Sequence, residues 1–349
     1  MPAQPVEPAA RPRATRSLRS TSAPLAVAGL VAGLLLALLP GLASGAGAQE
    51  PTPARESTQQ GLPLFPSPQP PSQSEQIDEA ALSRDYPRLP KSCGLLVDGQ
   101  VPAAPRKCVI KRSGARQPVL VMWGDSHMWQ MLPAVKAAMK GQKMGLVAFL
   151  FGSCPPAMPD MRIYAGNPCM ETQQVALRYL EAAKRQGRDV RVILGAFWGA
   201  HLNRLAFYES ATQRRQLADR RAYVMKYTRP LFGWLAKQRI PTDVQVQGPA
   251  AVPPAPNCRP GPTPFQCDIA RSKALFRDAE VTGFLKRNVK RLPRGSRLIN
   301  FHSGVCRPAV CPAVQPSGAH TWFDPYHLSA STTAGLGRFY LPSVRKLAR

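Results

Sequence analysis

The sequence has 349 residues, of which 44% are hydrophobic, and a formal net charge of +26 at pH 7. This hydrophobic content is enough for a sizeable core, which excludes a wholly disordered chain. The length allows one large domain or two small ones.

Residues 1–48 have the features of an export signal. Four arginines precede an apolar run from Ala23 to Ala43, and the small residues Ala46-Gly47-Ala48 follow it. This order predicts a secretory signal peptide that is cleaved near Ala48. The alternative is an uncleaved signal anchor, because about twenty apolar residues can just span a bilayer. We therefore expect an exported, periplasmic or extracytoplasmic protein, tethered to the membrane if the segment is not cleaved. No second segment of this kind occurs, so the rest of the chain is expected to be soluble.

Residues 49–91 are rich in proline, serine and glutamine, most clearly in the run from Pro63 to Pro71. They show no amphipathic period and cannot bury a core. We interpret them as a semi-extended linker.

Residues 92–349 alternate between apolar strand-like runs and helix-like stretches. The predicted strands run from Pro118 to Met122, Met144 to Leu150, Val190 to Phe197, Asp243 to Gln247 and Arg297 to Phe301. The predicted helices run from Met128 to Lys140, Glu171 to Gln186, Gln213 to Gln238, Ile269 to Arg291 and Leu328 to Leu347. This alternation predicts an α/β domain, a three-layer α/β/α sandwich with a mostly parallel sheet.

Eight cysteines form four close pairs along the chain: Cys93 with Cys108, Cys154 with Cys169, Cys258 with Cys267, and Cys306 with Cys311. An even number of cysteines behind an export signal indicates disulfides in an oxidising compartment, although the sequence does not fix their pairing. The alternative for the last pair is a zinc site formed with His302 and His320. We expect disulfides and no metal.

Two motifs at opposite ends of the folded region carry the chemistry. Met122-Trp123-Gly124-Asp125-Ser126-His127 places a serine between a predicted strand and a predicted helix, where backbone N–H groups and the positive helix end can face an oxyanion. Trp322-Phe323-Asp324-Pro325-Tyr326-His327-Leu328-Ser329 provides an acid and an imidazole at positions i and i+3. Because these motifs flank the first and last predicted strands, they can meet at one edge of the sheet. Together they predict a serine nucleophile with a histidine base.

These blocks resemble those of the SGNH (GDSL-like) hydrolase superfamily, in particular the periplasmic SGNH domain found fused to acyltransferase family 3 membrane proteins. Further matches are Gly152-Ser153-Cys154-Pro155-Pro156, Val192-Ile193-Leu194 before Trp198, and Cys306 with Cys311. The resemblance covers about Cys93 to Arg349. It implies an SGNH/flavodoxin-like fold.

The resemblance also implies roles for individual residues. Ser126 would be the nucleophile, His327 the general base, and Asp324 the group that orients the imidazole. Asp125 is expected to brace the turn, and His127 to steady the helix start or line the pocket.

The oxyanion hole departs from the superfamily pattern of a glycine and an asparagine, because the block from Gly195 to Trp198 has no asparagine. We expect the backbone N–H groups of Ser126 and Gly152 to act as donors, with the Trp198 indole as the third. Core packing of Trp198 is the alternative.

The predicted function is an exported serine O-acyltransferase that acts on a cell-envelope polysaccharide, transferring O-acetyl groups through an acyl-enzyme without a cofactor. The alternatives are an O-acetyl esterase on the same glycans and a weakly catalytic glycan-binding protein. The sequence contains no acyl-delivering membrane domain, so transfer would need a separate membrane acyltransferase as partner, whereas hydrolysis would not.

The strong positive charge also fits a nucleic-acid binder. Export and disulfides argue against that class, and the cations are scattered along the predicted helices. We therefore predict no nucleic-acid partner, and either a plain solvated surface or attraction to an anionic glycan or membrane face.

Overall fold

The computed structural model of the protein describes residues 84–90, 93, 107–159, 168–202, 224–251, 268–275 and 278–348. The predicted export segment, residues 1–48, lies outside the described residues, as does most of the predicted linker, residues 49–91. The chain divides into two units, Met1–Pro70 and Pro71–Arg349, and all described residues belong to the second. Among the helices of this described part, none has the length and apolar character needed to cross a bilayer.

A six-stranded sheet forms the centre of the described fold. The strands are β1 (Cys108–Lys111), β2 (Val119–Gly124), β3 (Gly145–Leu150), β4 (Val190–Gly195), β5 (Thr242–Gln245), β6 (Ile269–Ala270), β7 (Leu298–Ile299) and β8 (Val310–Cys311). The sheet has the order β1-β3-β2-β4-β5-β7, and only its edge strand β1 runs antiparallel to its neighbour. Strands β6 and β8 form a separate antiparallel pair.

Helices connect these strands. They are α1 (Ser126–Trp129), α2 (Leu132–Ala138), α3 (Pro168–Arg185), α4 (Trp198–Leu202), α5 (Arg229–Lys237), α6 (Arg271–Ala274), α7 (Asp278–Val289), α8 (Ala330–Ala334) and α9 (Gly337–Leu347). A π-helical turn, Val224–Thr228, precedes α5, and a 3-10 turn, His302–Gly304, follows β7.

The central strand β2 shows how the core is layered. Its side chains alternate between two faces, as they must in an extended strand. Leu120 and Met122 pack in one apolar cluster with residues of α2 and α9. Val119, Val121 and Trp123 pack in a second cluster with residues of α3, α5 and α7. Helices therefore cover both faces of the sheet, which confirms the predicted three-layer α/β/α sandwich.

The helices differ more from prediction than the strands do. The predicted helix from Met128 to Lys140 is divided into α1 and α2, because Pro133 lacks an N–H and occupies the first turn of a new helix. The predicted helix from Ile269 to Arg291 is wrong at its start, where β6 pairs with β8 instead. Of the predicted helix from Gln213 to Gln238, residues 213–223 lie outside the described part of the chain.

Candidate active site

Ser126 lies where the central strand β2 ends and α1 begins. The last residue of β2, Gly124, has no room for a side chain, because a Cβ there would overlap the carbonyl oxygen of Gly195 on β4. This close approach lets the chain turn against β4. Ser126 is the first residue of α1 and is partly exposed. Its backbone N–H has no hydrogen-bond partner among the described residues, as expected at a helix start.

The carboxylate of Asp125 holds this turn in place. Its Oδ1 accepts a 2.8 Å hydrogen bond from the His127 N–H, and its Oδ2 accepts one of 2.9 Å from the Phe197 N–H. The same Oδ2 lies 3.0 Å from Nε2 of His201. Burial raises the pKa of Asp125, but the His201 hydrogen bond, the two histidines and the Phe197 N–H lower it below its ordinary value. Asp125 is therefore an ionised brace between α1 and the residues after β4.

Asp324 and His327 form a hydrogen-bonded pair in the loop before α8. Oδ2 of Asp324 lies 2.7 Å from Nδ1 of His327, and Oδ1 accepts hydrogen bonds from the backbone N–H groups of Tyr326 and His327. Burial raises the pKa of Asp324, but these interactions with His327 and the backbone lower it below its ordinary value. The ionised carboxylate can only accept, so Nδ1 of His327 carries the proton.

The other ring nitrogen of His327 is then an acceptor when the ring is neutral. This Nε2 atom is buried and has no hydrogen-bond partner among the described residues. Unpaired buried polar atoms are rare in folded proteins and call for an explanation. A base that awaits a proton from a substrate or a nucleophile is one such explanation.

The serine segment and the histidine segment lie against each other. The ring centroids of His127 and His327 are 5.1 Å apart, and the Trp129 ring stands edge-on to His327 at 6.4 Å. The Phe323 ring stacks on His327 at 5.6 Å. The structure thus brings together the two motifs that the sequence places about two hundred residues apart, at the carboxyl end of β2.

His127 is a buried member of this site. Its ring stacks on Phe197, with centroids 4.1 Å apart and planes 14° apart. Burial lowers the pKa of His127 to about 3, and the nearby His327 adds to this effect against the opposing charges of Asp125 and Asp324. The ring is therefore neutral near neutral pH.

Of the three predicted oxyanion donors, Ser126 and Gly152 stay predictions, and the structure contradicts the third. Gly152 lies in the turn after β3, and its backbone N–H, like that of Ser126, has no partner among the described residues. The prediction for Trp198 is wrong. Its side chain is fully buried in the core, and its indole N–H already donates a 2.9 Å hydrogen bond to the carbonyl of Gln245. A single N–H engaged in this way cannot serve a substrate.

One protein family accounts for most of this chain. The model of the SGNH domain, described as fused to AT3 domains, matches residues 93–342. The chain belongs to this family. The family assignment confirms the resemblance drawn from the two motifs, and it covers every residue of the site described above.

Two solved structures are similar to this SGNH domain. One is the periplasmic domain of a lipopolysaccharide acetyltransferase from Salmonella ser. Paratyphi A, with 12% identity and a TM-score of 0.43 over 67% of this chain and 85% of that one. The other is a putative acylhydrolase from Bacteroides fragilis, with 12% identity and a TM-score of 0.34 over 68% of this chain and 91% of that one. Among curated protein sequences, none matches the chain.

Disulfides join three of the four predicted cysteine pairs of the SGNH domain: Cys93 with Cys108, Cys154 with Cys169, and Cys306 with Cys311. The fourth predicted pair, Cys258 with Cys267, lies outside the described residues. The alternative zinc site is wrong, because the sulfurs of Cys306 and Cys311 are bonded to each other and are not free thiolates.

Two residues that organise the site were not predicted from the sequence. Gln130 is fully buried, and its side-chain oxygen accepts a hydrogen bond from the backbone N–H of Leu328. His201 is buried against Asp125, seventy-six positions earlier. Neither residue lies in a motif, and both make contacts that depend on the tertiary fold, so only a structure could reveal them.

Proposed function

We propose that this SGNH domain is an exported serine O-acyltransferase that forms an acyl-enzyme on Ser126 and passes the acyl group, as acetyl, to a cell-envelope glycan. The observation that carries this proposal is the Asp324–His327 pair. Nδ1 of His327 lies 2.7 Å from the Asp324 carboxylate, and the buried Nε2 of His327 has no hydrogen-bond partner among the described residues. This base lies against the helix that begins with Ser126.

The proposed reaction uses these groups in a fixed order. Oγ of Ser126 attacks the ester carbonyl, and its proton moves to Nε2 of His327 while the carbonyl electron pair moves onto oxygen. Asp324 stabilises the imidazolium that forms. The N–H groups of Ser126 and Gly152 stabilise the oxyanion. The imidazolium then protonates the leaving alcohol, and a sugar hydroxyl repeats the sequence on the acyl-enzyme, with His327 accepting its proton.

Water in place of the sugar hydroxyl would make the protein an O-acetyl esterase, which is the second candidate. The family description favours transfer, because its SGNH domains are fused to AT3 domains. A membrane acyltransferase would then be the partner that supplies acyl groups. Three disulfides among the described residues support an oxidising, extracytoplasmic location.

A fluorophosphonate probe tests the proposed nucleophile. An activated serine reacts with such a probe, whereas an ordinary surface serine does not. We expect rapid labelling of the full chain at Ser126 and no labelling of Ser126→Ala. Ser317, which is exposed and lies outside the site, provides the matched control, because Ser317→Ala should label like the wild type. Absence of labelling in the folded wild type would contradict the proposal and favour a glycan-binding role.

A further inference from the structure

The site contains a second histidine that the proposed reaction does not use. His127 follows Ser126 directly, is 1% exposed, and contacts the rings of Phe197 and His327. A buried imidazole beside the base has a cost, since its polar atoms must be satisfied. Its protonation and orientation are therefore set by its surroundings.

A chain of hydrogen bonds fixes the tautomer of His127. The backbone N–H of Leu328 can only donate, and it lies 2.7 Å from the Gln130 side-chain oxygen, which identifies that atom as the oxygen. The other end of the same amide, Nε2, can only donate, and it lies 3.4 Å from Nδ1 of His127. Nδ1 of His127 must then be the acceptor, so the ring proton is on Nε2.

His127 is also held in the neutral form. Burial lowers its pKa to about 3, so a second proton does not bind at the pH values where a histidine base works. The Nε2–H group is thus a fixed hydrogen-bond donor that neither loses nor gains a proton. Within the described part of the chain, His127 makes its hydrogen bonds through its backbone and Nδ1, and none through Nε2.

The oxyanion hole lacks a side-chain donor on this side. The block from Gly195 to Trp198 has no side-chain amide, and the Trp198 indole N–H donates to the carbonyl of Gln245. The side chain that this segment does present to the site is Phe197, and the ring stacked on it is that of His127.

We infer that the Nε2–H of His127 is the third oxyanion donor, binding the acyl oxygen beside the N–H groups of Ser126 and Gly152. The group donates a hydrogen bond and transfers no proton, so the proton balance of the reaction is unchanged. Phe197 sets the plane of the ring and Gln130 sets its tautomer. This inference rests on the proposed function, because it assigns a role at the same acyl-transfer site.

Two substitutions test the donor. His127→Phe keeps an aromatic ring for the stack but removes the N–H, and we expect it to lower kcat for a small acetyl ester by about a hundred- to a thousand-fold with little change in KM. His127→Gln keeps a side-chain N–H and should retain more of kcat than His127→Phe. His320→Phe, at a partly buried histidine outside the site, is the matched control and should leave kcat unchanged.

A second measurement does not depend on the variants folding. The ¹⁵N NMR spectrum of the wild type should show His127 protonated at Nε2 and not at Nδ1, and a phosphonate adduct on Ser126 should move the Nε2–H proton downfield. The opposite tautomer, or an Nε2–H signal that the adduct leaves unchanged, would overturn the inference. So would full kcat in folded His127→Phe. If Ser126→Ala keeps the wild-type activity, the proposed function fails; if only His127→Phe keeps it, this inference alone fails.

Discussion

The side-chain oxygen of Gln130 accepts a 2.7 Å hydrogen bond from the backbone N–H of Leu328, a residue 198 positions away. Gln130 directly follows the short helix that carries Ser126, and Leu328 directly follows His327. This buried bond therefore ties the nucleophile segment to the base segment. It also lets one amide set both the distance between the segments and the tautomer of His127.

Removing this amide should loosen the site. Gln130→Met keeps the length of the side chain but leaves the buried Leu328 N–H without a partner, which typically costs about 1 to 3 kcal/mol of stability. We also expect kcat to fall, because His327 is no longer held against α1. Denaturant unfolding and ester cleavage measure the two effects. Gln186→Met, at an exposed position, should change neither. A Gln130→Met protein with wild-type stability and kcat would contradict the role of this bond.

The buried His127 should make stability depend on pH. Its pKa is about 3 in the folded protein and close to 6.5 when the chain unfolds, so the unfolded state binds an extra proton between these values. The contribution of His127 to the free energy of unfolding is therefore at its full value above about pH 6.5. It falls by roughly 1 kcal/mol per pH unit as the pH drops toward 3.

His127→Phe removes this proton uptake. We expect its free energy of unfolding to fall less steeply than that of the wild type between about pH 6 and about pH 5. His302, whose pKa burial also lowers, remains in both proteins and cancels in the comparison. His127 itself lowers the pKa of Asp125, so the slopes are compared above about pH 5, where free carboxylates are already ionised. Equal slopes in the two proteins would show that His127 is not buried in neutral form.

Two disulfides that close loops of equal length allow an effect on stability to be distinguished from an effect on activity. Cys93–Cys108 and Cys154–Cys169 each span 15 positions, so replacing either pair with alanine should cost about 3 kcal/mol. Only Cys154–Cys169 lies beside the turn that contains Gly152, where Gln173 also donates to the Pro155 carbonyl. Its removal should slow ester cleavage under conditions where both variants are folded. An equal loss of activity in the two variants would contradict a role for that turn.

The acceptor distinguishes transferase from esterase. With an acetyl ester as donor, a transferase should acetylate an added anionic glycan faster than it releases acetate, and salt should weaken this because it screens the attraction to a chain of net charge +26. A neutral glycan of the same length is the control and should show little salt dependence. Acetate release that no added glycan alters would identify an esterase.

The features that were predicted correctly from the sequence share a local signal. Apolar runs marked the parallel strands β2, β3, β4, β5 and β7, and the two motifs marked the segments that meet at the carboxyl end of β2. The strands β1, β6 and β8 were not predicted from the sequence, and each is a segment of two to four residues that pairs with a strand from elsewhere in the chain.

Side-chain roles were less predictable than strands. The Trp198 indole was predicted in the oxyanion hole because of its position after β4. Its side chain is instead buried in the core, and its N–H donates to the carbonyl of Gln245. A buried N–H bonds to the nearest acceptor, and sequence position does not reveal which acceptor that is. For the same reason, the hydrogen bonds of Gln130 and His201 could not be predicted from the sequence.

The most direct test of the account is to trap the acyl-enzyme. After rapid mixing of the full chain with an acetyl ester and acid quenching, peptide mapping by mass spectrometry should find one acetyl group, on Ser126. Ser126→Ala should carry none and cleave almost no ester. His327→Ala should acquire acetyl far more slowly, and Asp324→Asn should lose no more activity than His327→Ala, because its role is to orient the base. An acetyl group on another residue, or ester cleavage by Ser126→Ala at the wild-type rate, would contradict the account.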